Sequence, residues 1–275
     1  MPTKKKVLVS TEIDVIHVGD CVDVMTGMPD DFVDLTVTSP PYDNLRIYNG
    51  YNFDFEGIAK ELFRVTKQGG VVVWVVGDAT IKGSETGTSF KQALYFKEIG
   101  FNLHDTMIYY RESPPLTHNR YEQHFEYMFV FSKGKPKTFN PFKDRKKYID
   151  HRTNKSFRRE KDGSYSKGYC KGEETMKIRG NIWKINTGGG QSTTDKSASK
   201  HPAIFPERLA EDHILSWSDE GDTVLDPMCG SGTAPRMAKV NGRHYIGIDT
   251  SEEYVEIARK RCAKPAPPKI KGFFK

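Results

Sequence analysis

Thr223-Val224-Leu225-Asp226-Pro227-Met228-Cys229-Gly230-Ser231-Gly232-Thr233 is the stretch that decides the fold. Thr223 to Asp226 reads as a short buried strand, Gly230 and Gly232 break it, and helical spacing resumes from about Thr233. In a strand, glycine turn and helix of this kind, the N–H groups of the helix start face a ligand, and glycine lets that ligand approach the main chain. A nucleotide-like cofactor is the natural occupant. Counting on from Gly230 and Gly232 puts Pro235 where a dinucleotide fingerprint wants its third glycine. A nicotinamide-dependent oxidoreductase is therefore the more distant alternative.

Working outward, His244 to Ile248 reads as a strand that leads into Asp249, with a helix from Ser251. A carboxylate at that strand end can accept both ribose hydroxyl protons of an adenosine. Asp226 has two compatible uses, bracing the loop or capping the next helix, and binding a positively charged amino group beside the cofactor. Upstream, Phe205, Leu209, Ile214 and Trp217 form a helical stripe.

The first half of the chain repeats the alternation. Ile13 to His17, Val33 to Thr38, Val71 to Gly77, Phe101 to Tyr110 and Phe125 to Phe131 read as strands. Phe55, Ile58, Ala59, Leu62 and Phe63 share one helix face, and Gly69-Gly70 is expected to end that helix. Strands separated by such helices predict an α/β fold with a mostly parallel, helix-covered sheet.

Residues 132–200 break the pattern: they are polar, basic and Gly/Ser-rich, and their apolar periodicity nearly vanishes. Residues 133–184 hold 17 Lys/Arg and 6 Asp/Glu, a charge of +11 in a chain of net +6, so the remainder carries −5. That places the whole positive excess in one insertion and makes a polyanion the expected partner. Trp183 is expected to be a core anchor for the insertion, with stacking on a base as the alternative. With 36% hydrophobic and 28% charged residues the composition is that of a globular protein. No apolar run reaches the roughly 18 residues of a membrane span, and the basic start lacks a signal peptide's apolar core, so the expected location is the cytoplasm, with no membrane association. Cys21, Cys170, Cys229 and Cys262 are too scattered for a zinc site or a disulfide framework, and no histidine has metal spacing; no metal is expected.

Val33 to Thr38 runs straight into Ser39-Pro40-Pro41-Tyr42. Two prolines fix φ and remove N–H donors, which leaves carbonyl acceptors beside an aromatic ring. Such a loop suits an amino group on a planar base, and it also suits a plain proline turn with Tyr42 as an apolar lid.

Thr38-Ser39-Pro40-Pro41-Tyr42 together with Asp226-Pro-Met-Cys-Gly-Ser-Gly-Thr233 resembles the amino-directed DNA methyltransferases, which methylate N4 of cytosine or N6 of adenine with S-adenosylmethionine. The order, proline motif early and glycine motif late, resembles the circularly permuted beta class. The resemblance implies a Rossmann-like sheet with a C-terminal antiparallel hairpin. Residues 1–131 would be the catalytic half, 132–200 the inserted target-recognition region, 201–262 the cofactor half and 263–275 a basic tail.

It further implies that Asp20 and Cys21 contact the cofactor adenine and that His201 and Pro202 belong to a segment closing over its methionine end. Asp226, Pro227, Gly230, Ser231, Gly232, Thr233 and Asp249 would complete the cofactor site. Ser39, Pro40, Pro41 and Tyr42 would form the catalytic loop, Ser39 Oγ and the Pro40 carbonyl accepting the amino hydrogens while Tyr42 stacks on a flipped base. Arg46, Lys143, Arg145, Lys146, Lys147, Arg152, Arg158 and Arg159 are the candidates for DNA phosphate contacts. Serine as the first letter of the motif leans toward cytosine N4 over adenine N6. DNA is the implied partner, with room for a homodimer and for a cognate restriction endonuclease.

Overall fold

A computed structural model describes residues 11–41, 53–112, 120–146, 157–167, 176–185, 192–193, 195 and 205–266. The first half contains β1 (Val15–Val18), α1 (Cys21–Thr26), β2 (Val33–Thr38), α2 (Phe55–Val65) and β3 (Thr66–Val76). After the small β4 (Thr80–Ile81) and β5 (Ser84–Glu85) come α3 (Thr88–Glu98), β6 (Asn102–Tyr110) and β7 (Phe125–Ser132). Short strands follow: β8 (Lys143–Lys146), β9 (Phe157–Arg159), β10 (Tyr165–Lys167), β11 (Met176–Ile178) and β12 (Ile182–Lys184). The chain continues through α4 (Glu207–Trp217), β13 (Thr223–Asp226), α5 (Thr233–Val240), β14 (His244–Asp249) and α6 (Glu252–Ala263).

Eight strands form one sheet in the order β1-β14-β13-β2-β3-β7-β6-β12. All neighbours are parallel except the two pairs that β7 makes with β3 and β6. The central strands β13, β2 and most of β3 are buried on both faces, and their side chains alternate between two cores. Val71, Val73 and Val75 point with Leu209, Ile214, Ala234 and Val255 of α4, α5 and α6. Val72, Trp74 and Val76 point with Met25, Ile58, Leu62 and Phe96 of α1, α2 and α3. The result is a sheet between two helical layers, as near-continuous apolar strands require.

Four expectations need correction. The antiparallel hairpin is β6–β7, in mid-chain, whereas the C-terminal part ends in a parallel strand and a helix. The second helix stops at Val65, and Gly69-Gly70 lies inside β3 at a bulge, where the register jumps from Val33↔Thr66 to Leu35↔Val71. Gly69 has φ +82°, and a Cβ on Gly70 would stand 2.7 Å from Thr66 Cγ2 and 3.0 Å from the Asp34 carbonyl oxygen, so the bulge needs glycine. Trp183 sits on β12 at the end of the main sheet, in its core and 4.5 Å from the His213 ring, not in a core of the insertion. Finally, the segment that forms its own unit is 141–180, narrower than 132–200, because β7 continues to Ser132, Asn140 is bonded to Ser216, and β12 rejoins the sheet beside β6.

Within 141–180, β8 pairs with β11 and β9 pairs with β10, both antiparallel. Arg179 pairs with Asp144 and lies over the Phe142 ring, 4.3 Å from its centre.

Candidate active site

Connections on the two sides of the β13/β2 neighbour pair run in opposite directions. β13 passes through α5 to β14 on one side, and β2 passes through α2 to β3 on the other. Such a reversal opens a crevice outside the carboxyl ends of the strands, where ligands bind in open α/β sheets. The motifs meet there. Thr38 Oγ1 donates to Asp226 Oδ1 over 2.8 Å, joining the strand that leads to Ser39-Pro40-Pro41 with the strand that leads to the glycine turn.

The turn is held from three sides. Cys229 N–H donates to the Ile248 carbonyl at 2.8 Å, Gly230 N–H to Asp249 Oδ2 at 2.9 Å, and Gly232 N–H to the Cys229 carbonyl at 2.7 Å. Gly230 and Gly232 both have left-handed backbone, with φ +48° and +79°. A Cβ on Gly232 would stand 2.6 Å from the Ala258 Cβ, so glycine also allows α6 to pack directly on the turn. Pro235 lies in the first turn of α5, where a missing N–H costs nothing.

Three carboxylates stand at neighbouring strand ends. Asp226 is buried and accepts from Thr38 and, at 3.2 Å, from the Met228 N–H. Burial pushes its carboxyl up to about 7, the two hydrogen bonds opposing and Asp249 adding to the rise. Asp249 accepts from Gly230 and, at 2.8 Å, from the Ser251 N–H, while its own carbonyl accepts from Gly19 at 2.9 Å. Asp20 follows β1 and caps α1, Oδ1 accepting from the N–H groups of Val22 at 2.7 Å and Asp23 at 3.1 Å.

Several side chains face away from the crevice. The Cys21 thiol is buried in the core beneath α1, its pKa pushed up to about 12 chiefly by burial, so only its main chain is available to a ligand. Ser231 and Thr233 are buried and give their hydroxyl oxygens to Arg261 of α6. Pro227 and Pro40 are buried, and Ser39 and Pro41 are half-buried at the mouth. Burial also raises the Cys262 thiol to about 11 and the Cys229 thiol well above its ordinary value, so neither is a ready nucleophile. No group of metal-ligating side chains occurs among the described residues.

Tyr42, Arg46, Lys147, Arg152, His201 and Pro202 lie outside the described residues. Lys143, Arg145 and Lys146 are on β8 and Arg158 and Arg159 on β9, all in the 141–180 unit. Sequence reasoning overlooked Arg261. The signal was present, since Val255, Ala258 and Cys262 form the apolar stripe of α6 and Arg261 interrupts it with a charge.

Comparison with known proteins agrees with this geometry. The profile of the DNA methylase family N6_N4_Mtase matches residues 33–260. The orphan methyltransferase M.BamHII of Bacillus amyloliquefaciens is 57% identical over 249 residues, covering 89% of this chain and 90% of its own length. The PvuII cytosine-N4-specific DNA methyltransferase shares the fold with a TM-score of 0.65 at 20% identity, over 95% of this chain and 90% of that one. A DNA modification methylase of Thermus thermophilus, solved with S-adenosyl-L-methionine, superposes with a TM-score of 0.62 at 25% identity, over 92% and 94% of the two chains. With the family profile spanning most of its length and a relative 57% identical over 89% of it, this chain belongs to the N6/N4 DNA methylase family.

Proposed function

We propose that the protein transfers a methyl group from S-adenosylmethionine to the exocyclic N4 of cytosine at a specific DNA site, after flipping the base out of the duplex. The observation that carries the reading is the Thr38–Asp226 bond, which fixes an amine-accepting loop against a glycine turn ringed by carboxylates. The same residues test the fit of the cofactor. Left-handed glycines leave the main chain bare, Asp249 stands at the strand end suited to ribose hydroxyls, and the buried Asp226 suits a cationic amino group. Gly230, Gly232, Asp226 and Asp249 would hold the cofactor, with the main chain at Asp20-Cys21 near its base and His201-Pro202 over its methionine end. When bound, the cofactor supplies an electrophilic methyl group on a sulfonium.

The remaining chemistry is positioning. An exocyclic amine has its lone pair delocalised into the ring, so the enzyme must localise that pair and aim it. Ser39 Oγ and the Pro40 carbonyl accept the two amino hydrogens and Tyr42 stacks on the base, an orientation that lowers the barrier without a covalent enzyme adduct. Flipping costs a few kcal/mol of stacking and pairing. Phosphate contacts from the 141–180 unit offset it, with Lys143, Arg145, Lys146, Lys147, Arg152, Arg158, Arg159 and, beyond the proline loop, Arg46 as donors.

The chain order supports the permuted beta class, because the proline loop precedes the glycine turn. Serine at position 39 favours cytosine over adenine. The oxidoreductase alternative loses its ground to the family match and to Pro235 at the third glycine position. Among the described residues no helix is long and apolar enough to cross a membrane. Action on DNA would put the enzyme in the cytoplasm. Homodimerisation and a partner endonuclease fit the same reading.

The decisive experiment incubates the protein with DNA and labelled S-adenosylmethionine, then digests the DNA for nucleoside mass spectrometry. N4-methylcytosine is expected. N6-methyladenine would overturn the cytosine assignment, and neither product on any DNA would overturn the whole reading.

A further inference from the structure

Arg261 lies near the end of α6, at the rear of the glycine turn, and its side chain is 1% exposed. Burying a guanidinium in a protein interior is costly unless its donors are used and its charge is matched. Nη1 donates to the Ser231 carbonyl at 2.7 Å, to Ser231 Oγ at 3.3 Å and to Thr233 Oγ1 at 3.2 Å. These three acceptors all belong to the glycine turn and the first residue of α5. Nη2 donates to Glu207 Oε1 at 2.8 Å, at the first residue of α4. Nε faces Asp195 Oδ2 at 3.8 Å, close enough for charge pairing and too far for a hydrogen bond.

Glu207 is in turn tied to the segment before it. Its Oε1 accepts from Thr193 Oγ1 at 2.6 Å, and its N–H donates to the Ser192 carbonyl at 2.9 Å. Lys264, three residues beyond Arg261 on the same helix end, pairs with Asp195 as well. One planar fork on α6 therefore grips the glycine turn with one nitrogen, and Glu207 at the start of α4 together with Asp195 through the others. Charge alone would not require this arrangement. A lysine ammonium is a point charge on a flexible stem and cannot hold two divergent sets of acceptors in a fixed plane.

We infer that Arg261 is a positioning residue for cofactor binding: it fixes the shape of the Gly230–Thr233 turn from behind and locks that shape to Glu207 at the start of α4. This rests on the reading of the turn as the S-adenosylmethionine site. Arg261 touches no reacting atom, so its loss shows in affinity for the cofactor rather than in the methyl-transfer step. A turn that must be ordered by the cofactor lowers apparent affinity by the fraction of molecules already in the competent shape.

The test compares wild type with Arg261→Met, Arg261→Lys and the double variant Glu207→Gln/Arg261→Met. The double variant leaves no unpaired buried charge from the pair and guards against a single variant that fails to fold. S-adenosylmethionine binding is measured by calorimetry, and kcat and KM are measured on DNA, with circular dichroism confirming the fold. The expected result is a cofactor Kd and KM raised about thirtyfold in both methionine variants, with kcat within about threefold of wild type and partial recovery in Arg261→Lys. A merely structural role would lower the active fraction, and so kcat, at unchanged KM. That pattern, or folded variants that bind the cofactor within twofold of wild type, would overturn the inference alone. Wild-type protein that binds no S-adenosylmethionine would overturn the cofactor reading and this inference with it.

Discussion

The two loops that meet at the Thr38–Asp226 bond are built on opposite principles. After β13, glycines open the main chain and every N–H of the turn named above is committed to a neighbouring strand or to the turn itself. After β2, two successive prolines remove the donors and leave acceptors. On the proposed reading one loop is approached closely by the cofactor and the other holds the amino group, and the Thr38–Asp226 bond joins them at the end of the β13–β2 ladder. If the proposed roles hold, cofactor affinity and methyl transfer are separable properties of neighbouring loops, and substitutions should pull them apart.

The sharpest break is Ser39→Ala. Loss of one preorganised acceptor is expected to lower kcat by roughly 100-fold or more, with cofactor affinity nearly unchanged by calorimetry. Asp249→Ala acts on the other loop, removing the acceptor for Gly230 and Ser251 along with the proposed ribose partner. Cofactor Kd should rise about 10- to 100-fold, while kcat at saturation changes little.

Next in size is the pH dependence set by Asp226. Its carboxyl, raised to about 7 by burial, keeps its proton in the folded enzyme where the unfolded chain has lost it. The stability this gives the free enzyme is complete below its ordinary value of 3.8 and is lost as pH rises through about 7. The ionised form that a cationic ligand prefers appears over the same window. Cofactor affinity should therefore fall about tenfold per pH unit below 7, and Asp226→Asn should flatten the slope. A wild-type affinity independent of pH between 5.5 and 7.5 (about two units) would refute the role of Asp226 as a cation partner.

Two smaller effects complete the comparison. Removing Lys143, Arg145 and Lys146 together should reduce the slope of log affinity for DNA against log salt by about 2 to 3, without touching cofactor binding. Pro40→Ala keeps the carbonyl and is expected to cost only a few-fold in kcat and up to about 1 kcal/mol of stability, read from a denaturant curve.

Much of this architecture was legible in the sequence where apolar spacing is regular. Val33–Thr38 appears as read, and α2 begins at Phe55 as its stripe requires. Helix α3 escaped because its buried face contains Ser89 and Gln92, polar residues that break the stripe yet are satisfied inside. Gln92 accepts from the Trp74 indole N–H at 2.9 Å, and Ser89 bonds to Asp78 through both its hydroxyl and its N–H. Strand β12 escaped because three residues cannot display a period. The strand-end aspartates were found because motif and strand boundary coincide. The orientation of Ser231 and Thr233 toward Arg261 was hidden, since a motif specifies which residues occupy a turn and not which way each hydroxyl points.

The residues on both flanks of the basic unit at 141–180 belong to the main unit. Thr138 and Asn140 bond to Asp219 and Ser216, and Asn181 with β12 joins β6. It is a closed excursion from a finished scaffold, and the entropy of such an excursion grows only logarithmically, about 0.6 kcal/mol for each doubling of length. Evolution can therefore lengthen, shorten or exchange the excursion while the sheet, its two cores and the crevice stay intact. The same economy makes it the natural point at which to insert or exchange a segment without disturbing the scaffold.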